Sequence, residues 1–402
     1  MVSTQRISFL LCIFLAIVPV INIDVPKALA VYPGVIGVVF YALYKYALKI
    51  DVSLSKNAAI LCGTIFGLSA ISLIWATHFD TSFHQVKTFS LLLPPLLLLV
   101  SLAESLRRDH ITPYLHYYAF AVTIGAAVMI LEIVWGGLIF NLTHGRPMDV
   151  VPNTFEYNRG AILLVICSSG AMAILREKLN HIAAPLIIAI PLAIALFMCE
   201  SQSAQLMFLV GFATIFLFPY KYKAAWILMK ISIVSLMFLI PFIVMLAFQH
   251  ITSGVQDIRI LYDANVGPRL EIWDYVSRYV MENSLTGYGV NVTRAITDFD
   301  CHYLFNGTNL VLHPHNFMLQ IWIEFGLLGI LLAMGFVYHL LTLIQTRFTI
   351  AQQKILLPTF MTSFLAASTA FGMWQGMWVA CLFYAAAMAM LASKYIDKPK
   401  DI

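Results

Sequence analysis

Long apolar runs separated by short polar turns dominate this chain. They lie at about 7–23, 28–48, 57–76, 85–104, 115–140, 158–175, 182–199, 204–220, 224–248, 316–344, 355–373 and 375–393. A helix needs about 20 apolar residues to cross a hydrocarbon core roughly 30 Å thick. The pattern therefore predicts an all-α integral membrane protein with about 12 transmembrane helices. Twelve crossings put both termini on one side. The last two runs are the least sharply divided, with only the Gly372–Gly376 stretch between them.

One segment breaks the pattern. Residues 249–315 form a polar stretch of about 65 residues, a length usually tied to function or to a small subdomain. The chain thus divides into nine helices over 1–248, a loop over 249–315, and three helices over 316–402. Within the loop, Arg269 to Asn283 places Leu270, Trp273, Val276, Val280 and Met281 near helical spacing, with Glu271, Asp274 and Arg278 opposite. That distribution predicts an amphipathic helix at the membrane surface, started by Pro268 and ended before Gly287 and Gly289.

Composition supports the membrane reading. Hydrophobic residues make up 61% and charged residues only 11%, where a soluble domain carries about 25% charged. The net charge of +4 gives no sign of nucleic-acid binding. It acts instead as a topology signal. With a cytoplasmic N-terminus, 16 of the 24 Lys and Arg residues fall on the inside, among them Lys45, Lys49, Arg107, Arg108, Arg176, Lys178, Lys394 and Lys398. The 249–315 loop then faces the outside. Arg6, the run Ile7–Ile21 and Ala28-Leu29-Ala30 also imitate a cleavable signal peptide. The alternating topology requires that run to stay as a helix. Five cysteines lie in or beside apolar runs and Cys301 lies in the loop, with no CxxC or Cys/His spacing that would suggest a disulfide framework or zinc site.

The topology gathers scattered polar groups on the outer face. Asn158-Arg159-Gly160 opens span six, and Glu200-Ser201-Gln202-Ser203 fills the turn between spans seven and eight. Arg269 begins the loop helix, and His313-Pro314-His315-Asn316 leads into span ten, which carries Gln320 and Glu324. Each has a plain structural reading: a snorkelling arginine, a polar turn, a surface charge, a structural histidine. Glu324 is harder to dismiss, because an ionisable group inside a span is costly, faces the bundle interior and needs a partner. It equally suits a role in pinning the loop. His78, His84 and His144 have no ligand spacing. The N-x-[ST] sites at Asn141, Asn291 and Asn306 matter only in a eukaryotic secretory setting.

Arginines at an outer interface suit an anionic ligand, phosphate above all, which they grip in bidentate fashion. A histidine beside them can take a proton from an attacking hydroxyl near neutral pH. A diphosphate is already a good leaving group, so neither metal nor cofactor is called for.

The run R-L-E-I-W … N-S-L-T-G-Y-G … H-P-H-N-F-M-L-Q-I-W-I-E-F-G-L-L-G, from Arg269 to Gly329, resembles the O-antigen ligase/polymerase superfamily of bacterial membrane glycosyltransferases. The resemblance implies a fold like the type C glycosyltransferases, a glycan donor on undecaprenyl diphosphate, and inversion without metal. It implies a lipid A-core acceptor for a ligase, or a second lipid-linked glycan for a polymerase. Arg159 and Arg269 then resemble diphosphate-binding arginines, with Glu200, Gln202, Asn316 and Glu324 as further substrate-contacting candidates. His313 and His315 are candidates for the essential histidine, and His315 fits the H-N element better. Many members carry S-R-G where this chain has Ser201-Gln202-Ser203, so a lost charge calls for compensation, as by Arg146 or Arg294. A ligase is favoured over a polymerase, and a transporter is disfavoured by the lack of internal repeats. A cysteine placed at position 263 should be labelled in intact spheroplasts; labelling only after inner-membrane permeabilisation would overturn the topology.

Overall fold

The computed structural model describes residues 3–255, 266–297, 299 and 311–397. Its first helices are α1 (Thr4–Asp24), α2 (Tyr32–Ala42), α3 (Lys56–Ser72) and α4 (Phe79–Ser105). The one-turn α5 (Arg108–Ile111), α6 (His116–Val134), the short α7 (Leu138–His144) and α8 (Asn158–Leu179) follow. Next come α9 (Leu186–Met198), α10 (Gln202–Leu217) and α11 (Lys223–Val255). The loop contributes α12 (Val266–Glu282), and α13 (Phe317–Arg347), α14 (Ile350–Thr369) and α15 (Gly376–Ile396) complete the bundle.

Seven of these helices are long and apolar enough to cross a membrane: α1, α4, α6, α8, α11, α13 and α15. Helices α3, α9 and α10 are apolar but shorter. Each of the twelve apolar runs holds a helix, so the expected count of twelve depends on those three together with α2 and α14. Cys301 and Asn306 lie outside the described residues.

Helix α8 is the hub of the bundle. Every residue from Gly160 to Met172 is buried, because α1, α6, α9, α10, α14 and α15 all pack on it. Polar groups on and around it are satisfied between helices, as an apolar surrounding demands. Ser169 Oγ bonds Thr359 Oγ1 of α14 at 2.9 Å, and the Tyr118 hydroxyl of α6 donates to the Cys167 carbonyl at 3.1 Å. The Tyr384 hydroxyl of α15 donates to the Leu15 carbonyl at 2.7 Å and locks α1 into the core. Helix ends are closed locally: Thr349 and Gln352 form a capping box on α14, and Lys394 donates to the Ala103 and Leu106 carbonyls at the end of α4.

Helix α13 is continuous except at Gly326, whose φ of 59° and ψ of −150° are not helical. The break frees groups that would otherwise pair four residues apart, and the segment 284–289 takes them up. Tyr288 N–H donates to the Ile323 carbonyl and Gly289 N–H to the Glu324 carbonyl, each at 2.9 Å, while Leu327 N–H donates to the Ser284 carbonyl at 2.7 Å. The two backbones lie too close for side chains. A Cβ on Gly326 would sit 2.5 Å from the Leu285 carbonyl, and one on Gly287 would sit 2.6 Å from the carbonyl carbon of Glu324. The same segment reaches the first half of the chain: Ser82 Oγ donates to the Val290 carbonyl at 2.7 Å and Thr77 N–H to the Tyr288 carbonyl at 3.1 Å.

Helix α12 differs from the amphipathic surface helix expected. It begins at Val266, two residues before Pro268, and is packed between α11 and α13. Glu271 and Asp274, expected on a wet face, are 1% and 2% exposed. Asp274 remains tolerable there because Arg278 Nε donates to its Oδ2 at 2.8 Å. Helix α11 also runs past the expected boundary at 248, to Val255.

Gly326→Ala should destabilise the protein by about 1–3 kcal/mol or more, since its backbone region is essentially restricted to glycine. Gly67→Ala, in α3 with open space around it, should be near neutral. Thermal unfolding of both variants in detergent is the check, and equal effects would contradict the interlock.

Candidate active site

The connection between α14 and α15, Ala370–Gln375, forms a platform beneath the two loop histidines. His315 sits immediately before the N-cap of α13 with φ at 51°, a left-handed backbone that is strained for a non-glycine residue. Asn316 sustains this turn by capping α13: its Oδ1 accepts from Met318 N–H at 3.1 Å and Leu319 N–H at 3.3 Å. Asn316 is 2% exposed with its side-chain oxygen so engaged, so its role in the structure is a cap. On the other side, Trp273 Nε1 of α12 donates to the Pro314 carbonyl at 2.6 Å.

The two imidazoles meet edge to face, with ring centroids 4.1 Å apart, yet their nitrogens are in opposite states. His315 Nδ1 lies 3.1 Å from the Ala370 carbonyl, an acceptor only, so Nδ1 carries the proton. Its Nε2 lone pair meets no hydrogen-bond partner among the described residues. The Gln375 side-chain amide donates to His313 Nε2 at 2.9 Å, which occupies that lone pair and leaves the buried Nδ1 without a partner. Gly372 lies so close that a Cβ there would come within 2.7 Å of the His313 ring.

Burial, followed by the fields of His315 and Arg294, pushes His313 down to about 3 from its ordinary 6.5. Burial also lowers His315, opposed by its bond to Ala370 and assisted by the nearby Arg269 cation. Both rings are therefore neutral near pH 7. Arg269 is itself lowered by burial but stays a cation, as arginine does in proteins. Arg269 has no ion-pair partner among the described residues.

Arg159, exposed at the start of α8, reaches the other edge of the platform. It lines a cleft with Asn22, Leu29, Ile162, Phe371 and Trp378. Its carbonyl accepts from Asn22 Nδ2 at 3.3 Å, fixing the start of α8 on α1. Glu200 and Gln202 stand exposed at the turn between α9 and α10, with Glu200 at φ 52°. No hydrogen bond joins either to the histidines among the described residues. Glu324, expected to touch substrate, is instead 0% exposed, its oxygens taken by Gln320 Nε2 at 2.9 Å and by Trp374 Nε1. Of the two arginines considered as replacements for a missing charge, Arg146 pairs with Glu156 at 3.3 Å, whereas Arg294 lies in the field of His313. Among the described residues no group of three or more His, Cys, Asp or Glu is assembled into a metal-binding cluster.

Sequence reasoning passed over Ala370, Gly372, Trp374 and Gln375, treating them as a spacer. The signal present was a tryptophan and a glutamine between two apolar runs, polar groups that need partners there.

With this geometry in place, comparisons with known proteins point towards one family. Residues 186–334 match the O-antigen ligase family, a stretch that contains Arg269, both histidines, Asn316 and Glu324 but not Arg159. This stretch of the chain is similar to the O-antigen ligase family. A candidate polysaccharide ligase of Rickettsia conorii is 26% identical over 231 residues, covering 56% of this chain and 55% of the relative. One from Rickettsia prowazekii is 26% identical over 262 residues, covering 62% and 64%. The chain therefore aligns with between half and two thirds of the length of these relatives. No solved structure matches it.

The depressed histidines make a stability prediction. The folded state disfavours protonation, so the unfolded chain binds more protons between about 6.5 and about 3 for His313. Stability from this site is whole above the unfolded value and is lost as pH falls through that window. Thermal stability should therefore fall as pH drops below about 6.5 towards 3, and His313→Gln should flatten part of that slope. An unchanged slope in the variant would contradict the buried neutral ring.

Proposed function

We propose that the protein is an O-antigen ligase-type glycosyltransferase of the bacterial inner membrane. It moves a polysaccharide from undecaprenyl diphosphate to a lipid A-core sugar on the periplasmic face. The acceptor hydroxyl gives its proton to His315 Nε2 as its oxygen attacks the anomeric carbon. The bond from that carbon to the diphosphate oxygen breaks on the opposite face, so configuration inverts. Undecaprenyl diphosphate leaves with its charge held by Arg159 and Arg269, which need no metal to do this. Glu200 and Gln202, exposed at the α9–α10 turn, are then candidates to border the donor glycan.

The observation that supports this most is the contrast between the histidine lone pairs. His315 Nε2 meets no partner among the described residues, its Nδ1–H being bonded to Ala370, whereas His313 Nε2 is occupied by Gln375. A general base needs an available lone pair within reach of the attacking hydroxyl. Arg269 beside His315 and Arg159 at the platform edge supply charge suited to a phosphate donor. The curated relatives are named for polysaccharide ligation, which favours a ligase over a polymerase.

His315→Ala should lower turnover by about 10²–10⁴-fold with donor affinity nearly intact. Arg269→Ala and Arg159→Ala should weaken donor binding as well as turnover, and lysine should rescue only in part, lacking the planar fork. His313→Ala should be milder. Single-turnover rates and donor affinity in nanodiscs test all four, with turnover expected to persist in excess EDTA. A dead His313→Ala beside a near-normal His315→Ala would reassign the base, and EDTA-sensitive turnover restored by a divalent cation would overturn metal independence.

A further inference from the structure

Glu324 is a buried carboxylate that no step above uses. Its two oxygens meet the Gln320 amide, the Trp374 indole N–H and the Asn291 backbone N–H. Gln320, itself 1% exposed, bridges further, since its Oε1 accepts from Met373 N–H at 2.8 Å. Two consecutive residues of the 370–375 turn are therefore fastened to α13 two turns below His315. Trp374 is also held by its surroundings. Its ring packs edge to face on Phe89 at 5.4 Å, and its carbonyl accepts from Gln85 Nε2 at 3.5 Å.

That turn decides which nitrogen of each histidine is free. Ala370, at its start, takes the Nδ1 proton of His315, and Gln375, at its end, occupies Nε2 of His313. Without the fastening at Met373 and Trp374, nothing else among the described hydrogen bonds ties the middle of the turn to α13. The carboxylate is also costly where it stands, so retaining it calls for a function that an apolar side chain would not serve. The carboxylate's bonds, to Gln320, Trp374 and the Asn291 backbone N–H, all run to donors, which an anion accepts more strongly than a neutral group does.

We infer that Glu324 is a positioning residue for His315, acting through Trp374 and the 370–375 turn to hold the Ala370 carbonyl against Nδ1. This rests on His315 being the base. Glu324 touches neither donor nor acceptor, and its influence passes entirely through the tautomer and orientation of the imidazole.

The test is a double-mutant cycle on full-length protein in nanodiscs, read by single-turnover rate and donor KM. Glu324→Gln and Trp374→Phe should each lower kcat by roughly 10²-fold, the scale of a misplaced catalytic group, with donor KM unchanged. In a His315→Ala background neither should reduce the residual rate further, because residues acting through one group are not additive. Trp374→Phe keeps the ring packing and removes only the N–H, so it separates positioning from folding. Losses that multiply with His315→Ala, or a raised donor KM at normal kcat, would overturn the positioning role and leave the base intact. Wild-type rates in both single variants would do the same. Near-normal turnover in His315→Ala alone would remove both.

Discussion

A helix interrupted inside an apolar bundle exposes N–H and carbonyl groups that lipid cannot solvate, each costing several kcal/mol if left alone. Gly326 creates that situation in α13, and the segment Ser284–Gly289 resolves it by donating and accepting where the helix cannot. The exchange is a constraint on everything around it. It brings loop backbone into the bundle, presses Gly287 against Ile323–Glu324 and Gly326 against Leu285–Thr286 so closely that neither tolerates a Cβ, and holds α12 against α11 and α13. Once the loop is anchored there, the chain must return through His313–Asn316 at the same end of α13.

The histidine pair inherits its geometry from that anchoring. Asn316 caps α13, Trp273 fixes Pro314 from the side of α12, and the 370–375 turn supplies hydrogen-bond partners from below. The result is two neutral rings in contact with opposite free nitrogens. Neutrality follows from burial and from the neighbouring arginines, and the choice of nitrogen follows from what each ring is offered: a carbonyl can only accept, an amide N–H can only donate. Arg269 lies within the field of His315, and Arg159 lines a cleft with Phe371 of the platform.

Several parts of this were legible in residue order. Twelve apolar runs marked the helices, because crossing hydrocarbon imposes a length and an apolar composition that no folding detail can change. The polar stretch after residue 248 announced a loop, and the H-P-H-N run and isolated arginines marked its chemistry. Glu324 stood out because an ionisable residue within an apolar run demands a partner. Helix boundaries were less legible: α11 outlasts its apolar run by several residues because a helix ends where its capping and packing end. The burial of Glu271 and Asp274 was not legible either, since helical periodicity assigns polar residues to water unless packing on both sides is known.

By itself, then, the sequence determined the membrane setting, the helix count to be tested, a resemblance to one family and the residue types at the site. Tertiary structure alone decided which imidazole nitrogen meets which partner, that Glu324 meets Trp374, Gln320 and Asn291, and that the Ala370–Gln375 turn is the floor beneath the histidines. The reason is physical. Apolar length and local propensity are properties of contiguous residues, whereas a tautomer and a buried hydrogen bond are set by groups 50 or more positions away, as His315 and Ala370 are. No pattern along the chain records which distant carbonyl will meet which imidazole.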